Sequence, residues 1–274
     1  MFSFNCKGRL IEISEPLVMG IINTTPDSFF AGSRKKADEI IFTAEKMLVE
    51  GAKILDIGGQ STRPGSGRIT AEEELKRVIP AIESVMSRFP DVIISIDSYY
   101  AKVARAAIEA GASIINDVSA GTIDKAIIDV AASMQVPYIL MHFPGDPQTM
   151  QKDPIYDNVV LDVFDFLSFK IDEIQKAGIK DVLVDPGFGF GKTAQHNFEL
   201  LRNLEFFKNL GKPILAGLSR KATIYNTLGI TSDEALNGTT VMNTIALMNG
   251  ASILRVHDVR EAVEAVKLYA AYKK

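Results

Sequence analysis

One cysteine, three histidines and no surplus of positive charge are what this sequence of 274 residues withholds, and each shortage removes a class of function. Cys6 alone closes no intramolecular disulfide and builds no cysteine-rich zinc site, and a secreted disulfide scaffold would carry its cysteines in pairs, so the chain reads as cytoplasmic. The histidines, at 142, 196 and 257, stand in no HxxxH or HExxH spacing, which excludes a dedicated zinc cage. Thirty Lys plus Arg against 34 Asp plus Glu leave a formal charge of −4, so no positive field exists to hold a nucleic acid. No apolar run nears the roughly 18 residues of a membrane span, and the N-terminus lacks a basic start followed by an apolar segment, so neither a membrane partner nor a leader is expected. Ser61 and Ser219 sit in no Gly-x-Ser-x-Gly elbow, and no Ser-His-Asp or Cys-His nucleophile signature is visible.

What is present is apolar: a 47% hydrophobic share with 23% charged residues is enough to bury a full core. At roughly 150 residues per domain the length suits two domains, yet a single α/β barrel of about 250 residues is equally ordinary. Eight short aliphatic runs recur, at 17–22, 54–57, 92–96, 113–115, 138–141, 182–184, 214–216 and 252–256. They are continuous rather than alternating, as parallel strands buried on both faces are. Helical patterns fill the intervals, for example over 101–110 and 261–271, and Thr70 with Glu73 and Thr231 with Glu234 have capping-box spacing. Eight strand–helix units with right-handed crossovers close on themselves, and no second-domain linker is visible. The expected fold is one (β/α)8 TIM barrel over residues 1–274, with a short N-terminal β-hairpin in residues 1–15 around Lys7-Gly8-Arg9 covering the barrel's bottom.

Polar and glycine-rich residues fall just after the runs, where the strand C-termini of a barrel open on one face. Asp97, Asn116 and Asp185 end three different strands. Each alone is an ordinary turn former; gathered in one pocket they suit the edge of a guanidine-like ring, since carboxylates accept paired N–H donors and an amide does both. The stretch from Asp185 to Thr193 invites a phosphate-loop reading, but Gly187 to Gly191 leaves three residues where a Walker loop needs four, so a flexible loop is expected, with Phe190 packing inward or covering a ligand. The cations are Arg63, Lys221 and Arg255, with His257 and His142 as companions. Arg255 and His257 are i and i+2 at the end of the last run, and Asp258 with Glu261 follows in N-cap style, so an anionic group is expected beside both. Mg2+, which keeps its waters and needs one or two protein oxygens, is compatible with Asn23.

Six segments together resemble the dihydropteroate synthase family: residues 19–29, 56–65, 116–119, 185–192, 219–221 and 255–258, in order along nearly the whole chain. The resemblance implies condensation of (7,8-dihydropterin-6-yl)methyl diphosphate with 4-aminobenzoate on a barrel that forms a homodimer. It further implies that Asp97, Asn116 and Asp185 hold the pterin's pyrimidine edge, Lys221 its carbonyl and ring nitrogen, and Arg255 its face, with Met141 and Gly217 lining the slot. Asn23, Arg255 and His257 would meet the diphosphate, Asn23 also Mg2+, and Thr62, Arg63, Pro64, Phe190 and Ser219 would border the aminobenzoate. Catalysis would rest on Asn23, Arg63, Lys221, Arg255 and His257, through an SN1-like loss of diphosphate.

Two positions depart from the family pattern. Ala31 stands where the first loop commonly has Asp, and Gln60 where the second commonly has Glu. A pterin-binding methyltransferase barrel is a rival reading, opposed by Thr62-Arg63-Pro64 and Ser219-Arg220-Lys221. A non-catalytic pterin-binding paralogue is another, made conceivable by Ala31.

Overall fold

The computed structural model describes residues 2–24, 34–60, 67–145 and 154–274, the side chains of 34–37 excepted. The chain opens with an antiparallel hairpin of β1 (Phe2–Cys6) and β2 (Arg9–Ile13). There follow β3 (Leu17–Asn23), α1 (Arg34–Glu50), β4 (Ile54–Gly58), α2 (Ala71–Arg88), β5 (Ile93–Asp97), α3 (Ala101–Glu109), β6 (Ile114–Asp117) and α4 (Ala126–Met134). The second half runs β7 (Tyr138–Met141), α5 (Val159–Lys176), β8 (Val182–Asp185), α6 (Ala194–Arg202), a 3-10 segment (Leu204–Leu210), β9 (Leu215–Ala216), α7 (Ala222–Leu228), α8 (Leu236–Met248), β10 (Ile253–Val256) and α9 (Val259–Tyr272). All neighbours in the eight-stranded sheet, ordered β8-β7-β6-β5-β4-β3-β10-β9, are parallel, and a bridge between Val184 and Ile214 brings its two ends together. This is the expected (β/α)8 barrel, and no described helix is long and apolar enough to cross a membrane.

The continuous apolar runs conceal two opposite faces, because side chains alternate along a strand. Val18, Leu55, Ile94, Ile115, Leu140, Val184, Ala216 and Leu254 pack outward with the helices. Met19, Ile54, Ile93, Ile114, Ile139, Leu183, Leu215 and Ile253 point inward and form one buried layer. Beneath that layer the hairpin places Phe4, Cys6 and Ile13, which closes the barrel's bottom as expected. Removing each such side chain from water contributes about 1.5–3 kcal/mol. Lys7 and Gly8 turn the hairpin with φ of 51° and 90°, the two left-handed positions of a tight two-residue turn. Asn5 N–H donates to Asp181 Oδ2 at 2.8 Å and Lys7 Nζ to the Ile108 carbonyl at 2.9 Å, so the plug is tied to the barrel wall.

Helix starts follow the expectation in part. Thr70 caps α2, its side chain accepting from Glu73 N–H at 3.2 Å, while the Glu73 carboxylate turns to Arg77 instead of completing a box. Thr231 does not open a helix: its N–H and hydroxyl both donate to Glu234 in a turn, at 2.9 and 2.8 Å, and α8 begins later, at Leu236. The reciprocal box forms at Thr193 and His196, at the start of α6.

Glu74, in the first turn of α2, is fully buried against the rim of β5. Its Oε2 accepts from Ser98 Oγ at 2.9 Å, while Oε1 has no partner among the described residues. Burial pushes its carboxyl from the ordinary 4.5 up to about 8, against the Ser98 hydrogen bond. A carboxyl whose folded pKa is raised stabilises the fold at low pH and loses that contribution as pH rises through the folded value. Relative to Glu74→Gln, the parent protein is therefore expected to lose roughly a few kcal/mol between about pH 4.5 and 8. Urea-unfolding midpoints measured across that range check this, and a constant difference between the two proteins would contradict it.

Candidate active site

Counting two residues onward from the apolar floor gives the second inward position of every strand: Ile21, Asp56, Ser95, Asn116, Met141, Asp185, Gly217 and Arg255. Two further on lie Asn23, Gly58, Asp97, Val118, Phe143, Gly187, Ser219 and His257. The barrel interior therefore changes from apolar to polar within one alternation step. Nine expected site residues, Asn23, Asp97, Asn116, Met141, Asp185, Gly217, Ser219, Arg255 and His257, occupy these two layers. Lys221 and Phe190 reach the same space from the loops after β9 and β8, the Lys221 ammonium lying 4.7 Å from the Phe190 ring centre. Thr62, Arg63, Pro64 and Ala31 lie outside the described residues.

The network centres on Arg255. Its Nε donates to Asp56 Oδ2 at 2.6 Å and its Nη2 to Asp97 Oδ2 at 2.5 Å. Asp56 Oδ2 also accepts from Asn116 Nδ2 at 3.0 Å, which fixes the orientation of that amide. Burial works against the guanidinium charge, but Asp56 and Asp97 outweigh it and hold Arg255 above its ordinary range. Burial pushes the Asp97 carboxyl up to about 7, with Arg255 pulling the other way. The Asp185 carboxyl is likewise raised by burial against the charge of Lys221, and its Oδ1 accepts from Gly187 N–H at 2.7 Å. Burial draws the Lys221 ammonium down to about 8 while Asp185 opposes the shift. Lys221 donates to the Phe188 carbonyl. A Cβ at 217 would lie 3.8 Å from both Asp185 Oδ2 and Lys221 Nζ, so a larger side chain there would intrude between them.

Asp56 was missed as a site residue. Its signal is a lone acid inside Ile54-Leu55-Asp56-Ile57, in the same alternation phase as the inward Ile54, and the position is fully buried.

Ser219 and His257 meet at the mouth. Ser219 Oγ lies 3.0 Å from His257 Nδ1 and accepts from His257 N–H at 3.1 Å. Arg220, between Ser219 and Lys221, takes a left-handed φ of 53°. Its Nε and Nη2 grip Asp258 at 2.9 Å each, and its Nη1 donates to the carbonyls of Ser232 and Asp233 at 2.9 and 2.8 Å. That brace ties the loop after β9 to the loop after β10. It also corrects the expected capping role of Asp258: the residue precedes α9, but its carboxylate faces Arg220 and makes no cap bond, so no side chain from that position covers the helix's first N–H groups.

Two further expectations need correction. His142 follows Leu140 in the outward phase, so it faces away from the site cations. Its Nδ1 lies 2.9 Å from Lys192 Nζ, and burial draws its pKa far down, leaving the ring neutral. Asp117, next to Asn116, is likewise outward and accepts from Tyr138 Oη at 2.6 Å and from Gly121 N–H at 2.7 Å. The 187–191 loop is held rather than flexible. Its glycines 187, 189 and 191 have φ of 72°, 80° and 56°, and side chains from elsewhere take its carbonyls.

Among the described residues no group of three His, Cys, Asp or Glu is placed to hold a metal. The half-buried Asn23 amide has no hydrogen-bond partner among them, so its oxygen is free to serve as one ligand of an ion that retains water. Gln60 bridges the two sides of its loop: Nε2 donates to the Gly67 carbonyl at 3.0 Å and Oε1 accepts from Ile69 N–H at 2.9 Å. A glutamate at 60 could accept but not donate.

Asp56→Ala is expected to cost about 3–5 kcal/mol of stability, because it leaves the Arg255 charge and the Asn116 amide without their shared acceptor. Asp56→Asn, which keeps an acceptor, should cost less. Urea unfolding measures both, and an unchanged midpoint for Asp56→Ala would contradict the central place given to that carboxylate.

Comparison with known proteins bears on this arrangement. The family model for pterin binding enzymes matches residues 19–257. A relative from Haemophilus influenzae named dihydropteroate synthase is 45% identical over 268 residues, covering 97% of each chain. The structure of dihydropteroate synthase from Xanthomonas albilineans with 4-aminobenzoic acid matches with a TM-score of 0.92 at 41% identity, over 99% of this chain and 98% of that one. A second from the same organism, in complex with 7,8-dihydropteroate, matches with a TM-score of 0.88 at 38% identity over 99% and 98% of the two chains.

Proposed function

The chain belongs to the pterin-binding enzyme family and to the dihydropteroate synthases within it, and from that premise we propose that it joins (7,8-dihydropterin-6-yl)methyl diphosphate to 4-aminobenzoate, giving 7,8-dihydropteroate and diphosphate. The observation that carries this reading is the inward polar pair of layers: Asp97, Asn116 and Asp185 beside Lys221 and Arg255, directly above an apolar floor. On this reading the pterin's pyrimidine edge meets Asp97, Asn116 and Asp185, and Lys221 donates to its carbonyl and ring nitrogen. Arg255, gripped through Nε and Nη2, lays its guanidinium plane on the ring and keeps Nη1 for the anion. Met141 and Gly217 line the slot. The aminobenzoate stands nearer the mouth, against Phe190 and Ser219 with Thr62, Arg63 and Pro64.

Diphosphate leaves with the electron pair of its C–O bond, and Arg255, His257 and the N–H groups at the start of α9 receive the developing charge. The electron-rich dihydropterin supports the methylene carbon that remains. The amine nitrogen then donates its lone pair to that carbon, and its proton passes to solvent. Bound Mg2+ would supply further neutralisation of the diphosphate, with Asn23 as the protein oxygen and water and phosphate completing its shell. No protein base or nucleophile is required, in keeping with the missing nucleophile signatures; what the residues contribute is position and charge.

The reading includes a cytoplasmic homodimer. Val241, Ile245 and Met248 are exposed at i, i+4 and i+7 on α8, and Leu268 and Tyr272 are exposed on α9, an apolar surface suited to a second copy.

Diphosphate release tests the function. With dihydropterin diphosphate and Mg2+, release is expected to depend on 4-aminobenzoate, and Arg255→Ala should lower turnover about 100-fold or more. Tight pterin binding without amine-dependent release would instead identify a non-catalytic pterin-binding protein.

A further inference from the structure

Lys192 closes the motif that begins at Asp185, and the reaction derived above does not use it. The side chain is buried, and three acceptors surround its Nζ: the Gly187 carbonyl at 3.0 Å, the Phe190 carbonyl at 3.0 Å and His142 Nδ1 at 2.9 Å. An ammonium has three donors and no acceptor, so the two sets match in number. The third acceptor is available because burial and the nearby lysine keep His142 neutral. Its ring is wedged in place by Phe166, whose edge meets it with centroids 4.9 Å apart.

The loop that Lys192 spans has few hydrogen bonds of its own. Glycines at 187, 189 and 191 in left-handed conformations give it no repeating hydrogen-bond ladder. At 187 the packing is tight as well, since a Cβ there would come within 2.2 Å of the His142 carbonyl. Side chains from outside it add anchors: Lys221 donates to the Phe188 carbonyl, Asn197 Oδ1 accepts from Gly189 N–H at 2.7 Å and Tyr156 donates to the Gly191 carbonyl at 2.8 Å. Phe190 N–H donates to the Gly187 carbonyl at 3.2 Å, and Lys192 is the described side chain that reaches both carbonyls, at the two ends of the turn that carries the Phe190 ring. Asp185 is differently secured, because β8 is registered against β7 from Tyr138–Val182 to Met141–Asp185.

We propose that Lys192, with His142 as its side-chain acceptor, is a positioning residue that sets the Phe190 ring for the amine substrate and leaves the pterin slot to the strands. This rests on the aminobenzoate placement given above and deepens it. Lys192 touches no reacting atom on this account; it acts through Phe190.

Two readouts test it, one of them independent of turnover. In steady-state kinetics, Lys192→Met is expected to raise KM for 4-aminobenzoate about tenfold or more while KM for dihydropterin diphosphate changes less than about threefold, as misplacement of a binding wall would do. In a Phe190→Ala background the same substitution should add less than about twofold to the amine KM, because its intermediary is gone. His142→Leu should reproduce the effect in weaker form, and His142→Asn, which returns an acceptor near the Nδ1 position, should restore it in part. The chain has seven tyrosines but no tryptophan, so Phe190→Trp introduces a single tryptophan at the ring, which can be excited selectively at the red edge of its absorption. Adding Lys192→Met to it should make that emission clearly more accessible to acrylamide, and where Lys192→Met fails to fold, His142→Leu is read in its place. Additive effects in the double variant, parallel rises in both KM values, or unchanged quenching would overturn the proposal. Absence of amine-dependent diphosphate release in the parent protein would overturn the functional reading instead, and the quenching comparison would still decide the role of Lys192.

Discussion

A guanidinium buried in a barrel must be answered by carboxylates, and most of the site follows from how that demand is met. Arg255 enters the interior from the last strand and is matched by Asp56 from the second and Asp97 from the third. Asp185 lies beside Lys221, whose charge opposes the effect of burial on its carboxyl. Three carboxylates and two cations thus share a space with little access to water, where an unmatched charge would cost several kcal/mol. The arrangement also leaves work undone. Burial raises the Asp97 and Asp185 carboxyls and lowers the Lys221 ammonium, the perturbation expected where titratable groups gather in a cleft that takes a polar ligand.

The switch from structural to chemical residues takes place along each strand rather than between regions of the chain. Ile54 seals the floor and Asp56 holds Arg255; Ile114 seals the floor and Asn116 meets Asp56; Ile253 seals the floor and Arg255 crosses the interior. The same eight strands therefore fix the positions of stabilising and functional side chains with one register. Loops then add only what the strands cannot reach: Lys221 and Phe190, each placed by a neighbour, Lys221 beside the braced Arg220 and Phe190 by Lys192.

The barrel and its hairpin were legible in the sequence because eight apolar runs and a Lys-Gly turn carry the hydrophobic pattern directly. The inward phase was not, since strands buried on both faces show no alternation to read. That is why Asp56 carries no signal of its role in the apolar pattern, and why His142, one residue out of phase with Met141, stands among the expected companions of the site cations. Arg220 and Lys192 were legible only as motif members. The partner of Arg220, Asp258, lies 38 residues away, and a glycine-rich stretch looks flexible until the side chains that hold it are known. Local spacing likewise set Thr231 as a helix start, although the chain needs a further turn before α8.

The most direct measurement of the central claim is a crystal structure of the protein with a non-hydrolysable dihydropterin diphosphate analogue. The account predicts the pyrimidine edge at hydrogen-bonding distance, about 3 Å, from Asp97, Asn116 and Asp185, with the anion against His257 and the start of α9. A ring bound elsewhere, or one that leaves Asn116 and Asp185 facing only each other and the protein, would contradict it.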